Sequence, residues 1–95
     1  MSRRVVIELT SMPRLPRHVK LRFDKQRNRW IILAPERVLV PDEIALEVVK
    51  RCTGKASVAA VVEDLAASFD APREEIESDV TRLLQDLADK GFVVT

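Results

Sequence analysis

Trp30-Ile31-Ile32-Leu33, then Val38-Leu39-Val40, then Pro41-Asp42 leading into an apolar stripe that stops at Cys52-Thr53-Gly54, form the stretch whose reading decides the fold. The first two runs are short, β-branched or aromatic, and separated by Ala34-Pro35-Glu36-Arg37, which is turn chemistry. Pro41 bars continuation of a strand and suits the first turn of a helix, where its missing N–H costs nothing. Asp42 and Glu43 favour the positive end of that helix. Ile44, Ala45, Val48, Val49 and Cys52 then recur at helical spacing, and Gly54 is the expected left-handed stop.

Upstream, Val19, Leu21 and Phe23 alternate with Lys20, Arg22 and Asp24, the period of a strand buried on one face. Lys25-Gln26-Arg27-Asn28 fits the turn into the Trp30 strand, so the three runs read as an antiparallel meander. Downstream, Ser57 is an N-cap for a second helix whose stripe is Val58, Val61, Val62, Leu65, Ala66 and Phe69. Asp70-Ala71-Pro72 punctuates. Ile76, Val80, Leu83, Leu84 and Leu87 mark a third helix ending before Gly91, and Phe92-Val93-Val94 is too apolar to dangle. The order is β-β-β-α-α-α, an α+β domain with a three-stranded antiparallel sheet followed by a three-helix bundle.

Near the N-terminus, Val5-Val6-Ile7-Glu8-Leu9 is either an extra strand or an arm that packs on a neighbour. Pro13 and Pro16, with arginines around them, keep the following segment extended. Residues 1–12 are therefore expected as a flexible or arm-like segment and residues 13–95 as one recognition domain, cooperative as a unit.

The chain has 95 residues, 46% of them hydrophobic, with two glycines and one cysteine. That suffices for one modest core and permits no internal disulfide. No segment has the apolar length of a membrane span or the h-region of a signal peptide, so the expected setting is the reducing cytoplasm. The net charge of +1 conceals a split. Residues 1–40 hold ten Lys/Arg against three Asp/Glu, while residues 41–95 hold six against twelve. Such a split marks a basic binding face, two halves that attract each other, or simply solvated surfaces.

No constellation supports catalysis, a cofactor or a metal. Cys52 lies on an apolar stripe near a helix C-terminus, where the dipole disfavours a thiolate. His18 has no orienting partner. Glu74, Glu75, Glu77 and Asp79 lack an oxygen-donor loop to converge with and fit a solvated face. The chain is expected not to be an enzyme. Nucleic-acid binding through the basic run Arg14, Arg17, Lys20, Arg22, Lys25, Arg27 and Arg29 is the runner-up, since a helical trio with a small sheet is also a winged-helix composition. Against it, the third helix opens Arg73-Glu74-Glu75-Ile76-Glu77-Ser78-Asp79, whose acids would repel a phosphate backbone. Peptide binding fits better. An edge strand at Val38–Val40 offers unpaired backbone groups to an extended partner, unless the chain's own N-terminal segment covers it. On this reading Leu39→Pro should remove a donor from the edge.

With these elements in order, the chain resembles the PqqD family of pyrroloquinoline quinone biosynthesis, small cytoplasmic peptide chaperones. The resemblance runs from about Pro13 to Val94. It rests on Pro13-Arg14-Leu15 and the basic strand after it, Trp30–Leu33 with Pro35-Glu36, Val38–Val40, Arg51-Cys52-Thr53-Gly54 with Ser57-Val58, and Leu87 to Phe92. Two features depart from it: Val40-Pro41-Asp42 stands where a polar residue often precedes the first helix, and Phe92 where a tryptophan often follows the last glycine. The resemblance implies a winged-helix-like leader-peptide recognition domain that binds the precursor peptide PqqA and presents it to the radical SAM enzyme PqqE. The chemistry and the iron–sulfur clusters then belong to that enzyme. In related domains the leader adds beside the third strand, against the third helix. The implied peptide-binding residues are Arg37, Val38, Leu39 and Val40, with Arg73, Ile76, Val80 and Leu83 facing them. An exposed edge and a free arm permit a monomer or a dimer.

Overall fold

The computed structural model describes residues 5–95. Three strands, β1 (Lys20–Asp24), β2 (Arg29–Ala34) and β3 (Arg37–Leu39), precede three helices, α1 (Glu43–Lys50), α2 (Val58–Ser68) and α3 (Arg73–Asp89). The strands form one antiparallel sheet in the order β1-β2-β3, which leaves β3 at an edge. The α+β order expected from the sequence is therefore the observed one.

The register explains which strand residues reach the core. Leu21 pairs with Ile32 and Ile32 with Leu39, so these three share the face that meets the helices. Ile32 is fully buried there, while Phe23, two residues further along β1, lies where the strand has run off the core and is exposed. Phe23 instead meets its cross-strand partner Trp30 edge-to-face at 5.4 Å, and Lys50 lies over the same indole at 5.2 Å. The opposite face carries Lys20, Arg22, Ile31, Leu33 and Val38.

Both turns use left-handed residues. Asn28 has φ 53° and follows Asp24, whose Oδ1 accepts from the Gln26 and Arg27 N–H groups. Pro35 followed by Glu36 at φ 62° joins β2 to β3 through two residues. Pro with a left-handed successor is the combination a type II turn uses. It starts β3 at Arg37, one residue earlier than the Val38–Val40 run suggests.

The start and end of α1 also differ from expectation. The Asp42 carboxylate accepts from the Ala45 N–H at 2.8 Å and is the N-cap, so Pro41 precedes the cap rather than opening the helix. The helix ends at Lys50, before Gly54, and Gly54 serves the loop instead. Its N–H donates to Pro13 O at 2.9 Å, and its φ of 80° lets the chain pass Arg14, whose Cβ a side chain there would meet at 3.3 Å. At the end of α3, Gly91 (φ 83°) donates to Ala88 O and Phe92 to Leu87 O, the paired bonds of a Schellman motif.

The core lies between the sheet and the bundle: Ile32, Val48, Val58, Val61, Val62, Val80, Leu84 and Leu87, closed by Phe92 and Val93. The extended N-terminal segment seals it. Pro13 is fully buried, and Arg14 exchanges backbone hydrogen bonds with Val94, each 2.9 Å. Further up, Ile7 is buried in the same core. Gln85 clamps that stretch, accepting from the Ile7 N–H at 2.9 Å and donating to Val5 O at 2.7 Å. Residues 5–9 form no strand. Residues 1–4, the start of the expected arm, lie outside the described residues.

Candidate functional site

The free edge begins with backbone phase. A two-residue hairpin loop makes its closing pair, Ala34 and Arg37, the one that exchanges both backbone bonds, and such pairs recur every second residue. Leu39, opposite Ile32, therefore also turns its N–H and C=O toward β2. Val38 turns them outward, to the open edge, with Val40 next in phase. A proline at Leu39 thus breaks the β2–β3 ladder rather than the free edge. The sequence alone does not reveal this, because phase depends on where the turn falls.

Side chains follow the same alternation. Leu39 packs on the core, while Val38 is 61% and Val40 48% exposed. Arg37 points inward and fastens the strand to the end of α3. Its Nη1 donates to Lys90 O at 2.6 Å, and its guanidinium lies 4.5 Å from the centre of the Phe92 ring.

Just after β3 in the chain, a groove of about 520 Å³ separates the start of α1 from α3. Ile44 and Leu83 give it an apolar floor, and Asp42, Asp79, Arg82 and Asp86 form its rim. It continues past Ile44 and Asp79 into a more enclosed cavity of about 170 Å³ among the ends of the three helices. Leu65, Phe69, Ile76 and Val80 line that cavity, with Glu75 at its mouth. Another depression, about 610 Å³, lies on the solvent face of α3, but every side chain lining it is polar or charged.

The eight residues singled out from the sequence thus fall in different places. Val38 and Val40 are exposed beyond the edge, Leu39 is core, and Arg37 is a tether. Leu83 lines the groove, whereas Ile76 and Val80 line the enclosed cavity from the core side. Arg73 reaches to Glu63 on α2 and to Glu77 one turn along α3; both accept from it and hold its pKa above the usual guanidinium value. Ile44 belongs to the apolar stripe of α1 in the sequence but is 41% exposed, in the groove. Its place at the first turn of the helix is the one signal that could have found it. Asp79, Arg82 and Asp86 have no signal in sequence beyond their charge.

Electrostatics divide the surface. Among the described residues, no ion pair joins residues 5–40 to residues 41–95: Arg51 pairs with Glu47 and Asp64, Lys90 with Asp86, and Arg27 with Asp24. Among the described residues the sheet and the helices form no ion pair with each other, and Lys20, Arg22 and Arg29 stay on the sheet without a carboxylate partner there. No group of three metal-ligating side chains occurs among the described residues. Nor is any helix there long and apolar enough to cross a membrane.

A three-stranded meander with three helices behind it is an arrangement found in other solved structures. The truncated PqqD portion of Methylobacterium extorquens PqqCD, described as a functional stand-alone recognition element for ribosomally synthesized and post-translationally modified peptides, superposes with a TM-score of 0.79. It is 37% identical and covers 94% of this chain and 95% of its own. A lasso peptide synthetase B1 complexed with the leader peptide shares the fold alone, at a TM-score of 0.76 and 18% identity over 90% of this chain and 100% of its own. The family model described as coenzyme PQQ synthesis protein D (PqqD) matches residues 29–93. A Rhodopseudomonas palustris (strain BisB5) protein named PqqA binding protein is 55% identical over 92 residues, 97% of this chain and 90% of its own length. The chain belongs to the PqqD family.

Proposed function

We propose that this chain is a non-catalytic peptide chaperone that binds the precursor peptide PqqA by strand addition and presents it to the radical SAM enzyme PqqE in pyrroloquinoline quinone biosynthesis. The observation that carries the reading is the outward-facing Val38 backbone at a sheet edge, with a groove floored by Ile44 and Leu83 opening where the chain leaves that strand at Asp42. An extended peptide there gains main-chain hydrogen bonds from β3 and buries alternate side chains against Ile44 and Leu83. The binding name carried by a relative at 55% identity supports PqqA as the peptide. The recognition domain then includes the segment from residue 5, whose Ile7 is part of the core, and it acts in the cytoplasm.

Presentation needs a second surface, and the face of the sheet away from the helices supplies one. Lys20, Arg22 and Arg29 surround Ile31, Leu33 and Val38 there, a basic rim around apolar side chains that fits an acidic patch on the enzyme. Holding the peptide on one side and the enzyme on the other raises the local substrate concentration without adding a catalytic group.

The test is an amide chemical-shift titration of labelled protein with synthetic PqqA and, separately, with a short DNA duplex. Saturable shifts at Arg37–Val40, Ile44 and Leu83 with peptide alone are expected. Shifts confined to Arg17–Arg29 with duplex, and none with peptide, would replace this reading with nucleic-acid binding. Presentation is tested by adding PqqE to the peptide-loaded protein. New shifts are expected at Lys20, Arg22 and Arg29, and loss of the peptide shifts instead would mean that enzyme and chaperone compete.

A further inference from the structure

The groove has a charge as well as a shape. Glu75, Asp79, Leu83 and Asp86 follow one another along a single stripe of α3. Asp42 joins them from the start of α1, so four carboxylates border the groove and its cavity against one guanidinium, that of Arg82. Lys90 pairs with Asp86, and Asp42 caps α1, but the carboxylates of Glu75 and Asp79 have no ion pair among the described residues. Arg82 does not neutralise Asp79 one turn away. Glu75 and Asp79 flank the mouth of the apolar cavity, where Phe69 and Ile76 lie. An apolar side chain that fills the cavity therefore comes beside both carboxylates.

Spacing then constrains what enters. The stripe from Glu75 to Asp86 covers about 16 Å of helix. A strand on the β3 edge sets its same-face side chains about 7 Å apart, so roughly three of them lie along the stripe. With one in the apolar cavity, its same-face neighbours two positions away come to the acidic rim. Resting on the strand-capture reading above, we infer that the groove selects an extended segment carrying one large apolar side chain with lysine or arginine two positions from it. The apolar residue is the anchor in the cavity bordered by Ile44, Phe69 and Ile76, and the cations are read by Glu75 and Asp79. This assigns the helix side of the site a preference opposite in sign to that of the basic sheet, so the peptide and an acidic protein partner are kept on separate faces.

The probes are three capped 13-residue peptides with a central leucine flanked at both second positions by lysine, glutamate or serine, and a fourth with lysines around a central serine. They are titrated into the full chain while Val38 amide and Ile44 and Ile76 methyl resonances are followed. The lysine-flanked leucine peptide is expected to bind about three- to tenfold more tightly than its glutamate counterpart at low salt, with the serine peptide between. That margin should shrink at high salt. Only the peptides with leucine should move the Ile44 and Ile76 methyls. The double variant Glu75→Gln/Asp79→Asn, at exposed positions, should remove most of the preference, and Arg82→Gln should widen it. Equal affinity for the lysine- and glutamate-flanked peptides, with Val38 shifting in both, overturns the charge selection and leaves strand capture intact. A preference unchanged in the double variant overturns the assignment to Glu75 and Asp79. Silence at Val38 with every peptide overturns both readings.

Discussion

Cys52 follows the last turn of α1 with its thiol turned inward, where Sγ donates to Val48 O at 3.3 Å. Burial pushes the thiol up from its ordinary 9.0 to about 12, which removes the thiolate as a nucleophile at neutral pH. The sign of the linkage follows. The folded state holds the proton more tightly than the unfolded chain, so the contribution is complete below pH 9 and is lost as pH rises from 9 toward 12. Denaturant midpoints of the wild-type chain should fall across that window, and those of Cys52→Ala should fall less. Thiol-specific alkylation of the folded wild type near pH 8 should be far slower than that of the unfolded chain. Asp42 has a separable role. Asp42→Ala should lower stability by about 1 kcal/mol through loss of the cap, whereas Asp42→Asn keeps the cap and should cost less, both read by urea unfolding.

At the scale of the elements, β3 is short, and its two backbone faces do different jobs. Val38→Pro deletes an outward N–H and leaves the ladder to β2 intact, a position an edge strand tolerates. It should weaken peptide capture at least tenfold, by calorimetric titration, with little loss of thermal stability. Leu39→Pro should instead destabilise the fold, because it deletes a bond within the sheet. If both variants lose binding only in proportion to their loss of stability, the edge is not the docking element. The other end of the site depends on how α3 stops. Gly91 at φ 83° closes the helix and frees Lys90 O for Arg37. Gly91→Ala should cost about 1 kcal/mol in unfolding measurements and loosen the tether that holds β3 against Phe92.

For the whole molecule, the N-terminal segment is part of the fold as far as residue 5. Ile7 is buried in the common core, Leu9 O and Ser11 O accept from Ala59 and Val58 N–H groups at the start of α2, and Gln85 holds residues 5–7 on α3. Ile7→Ala should cost about 2–4 kcal/mol, a loss that a detached arm would not produce, and thermal unfolding would decide between them. This segment lies on the opposite flank of α3 from the groove, since Gln85 and Leu83 are two residues apart on a helix. Among the described residues, the segment from residue 5 makes no hydrogen bond to the β3 edge.

The sequence by itself determined the element order, the strand periods, the Ser57 cap, and the burial of Val48, Val62, Leu84 and Leu87. Each is written in local spacing and short-range capping chemistry. It also carried the resemblance that points to β3 and α3 as the proposed site. Only the tertiary structure decided which of those residues face outward. Val38 rather than Leu39 offers the edge because the turn at Pro35-Glu36 sets the ladder's phase. Ile44 opens into a groove because α3 stands off from the first turn of α1. Ile76 and Val80 border a cavity because the ends of three helices meet there. A helical stripe specifies that a residue is apolar, but only packing specifies whether another part of the chain is there to cover it.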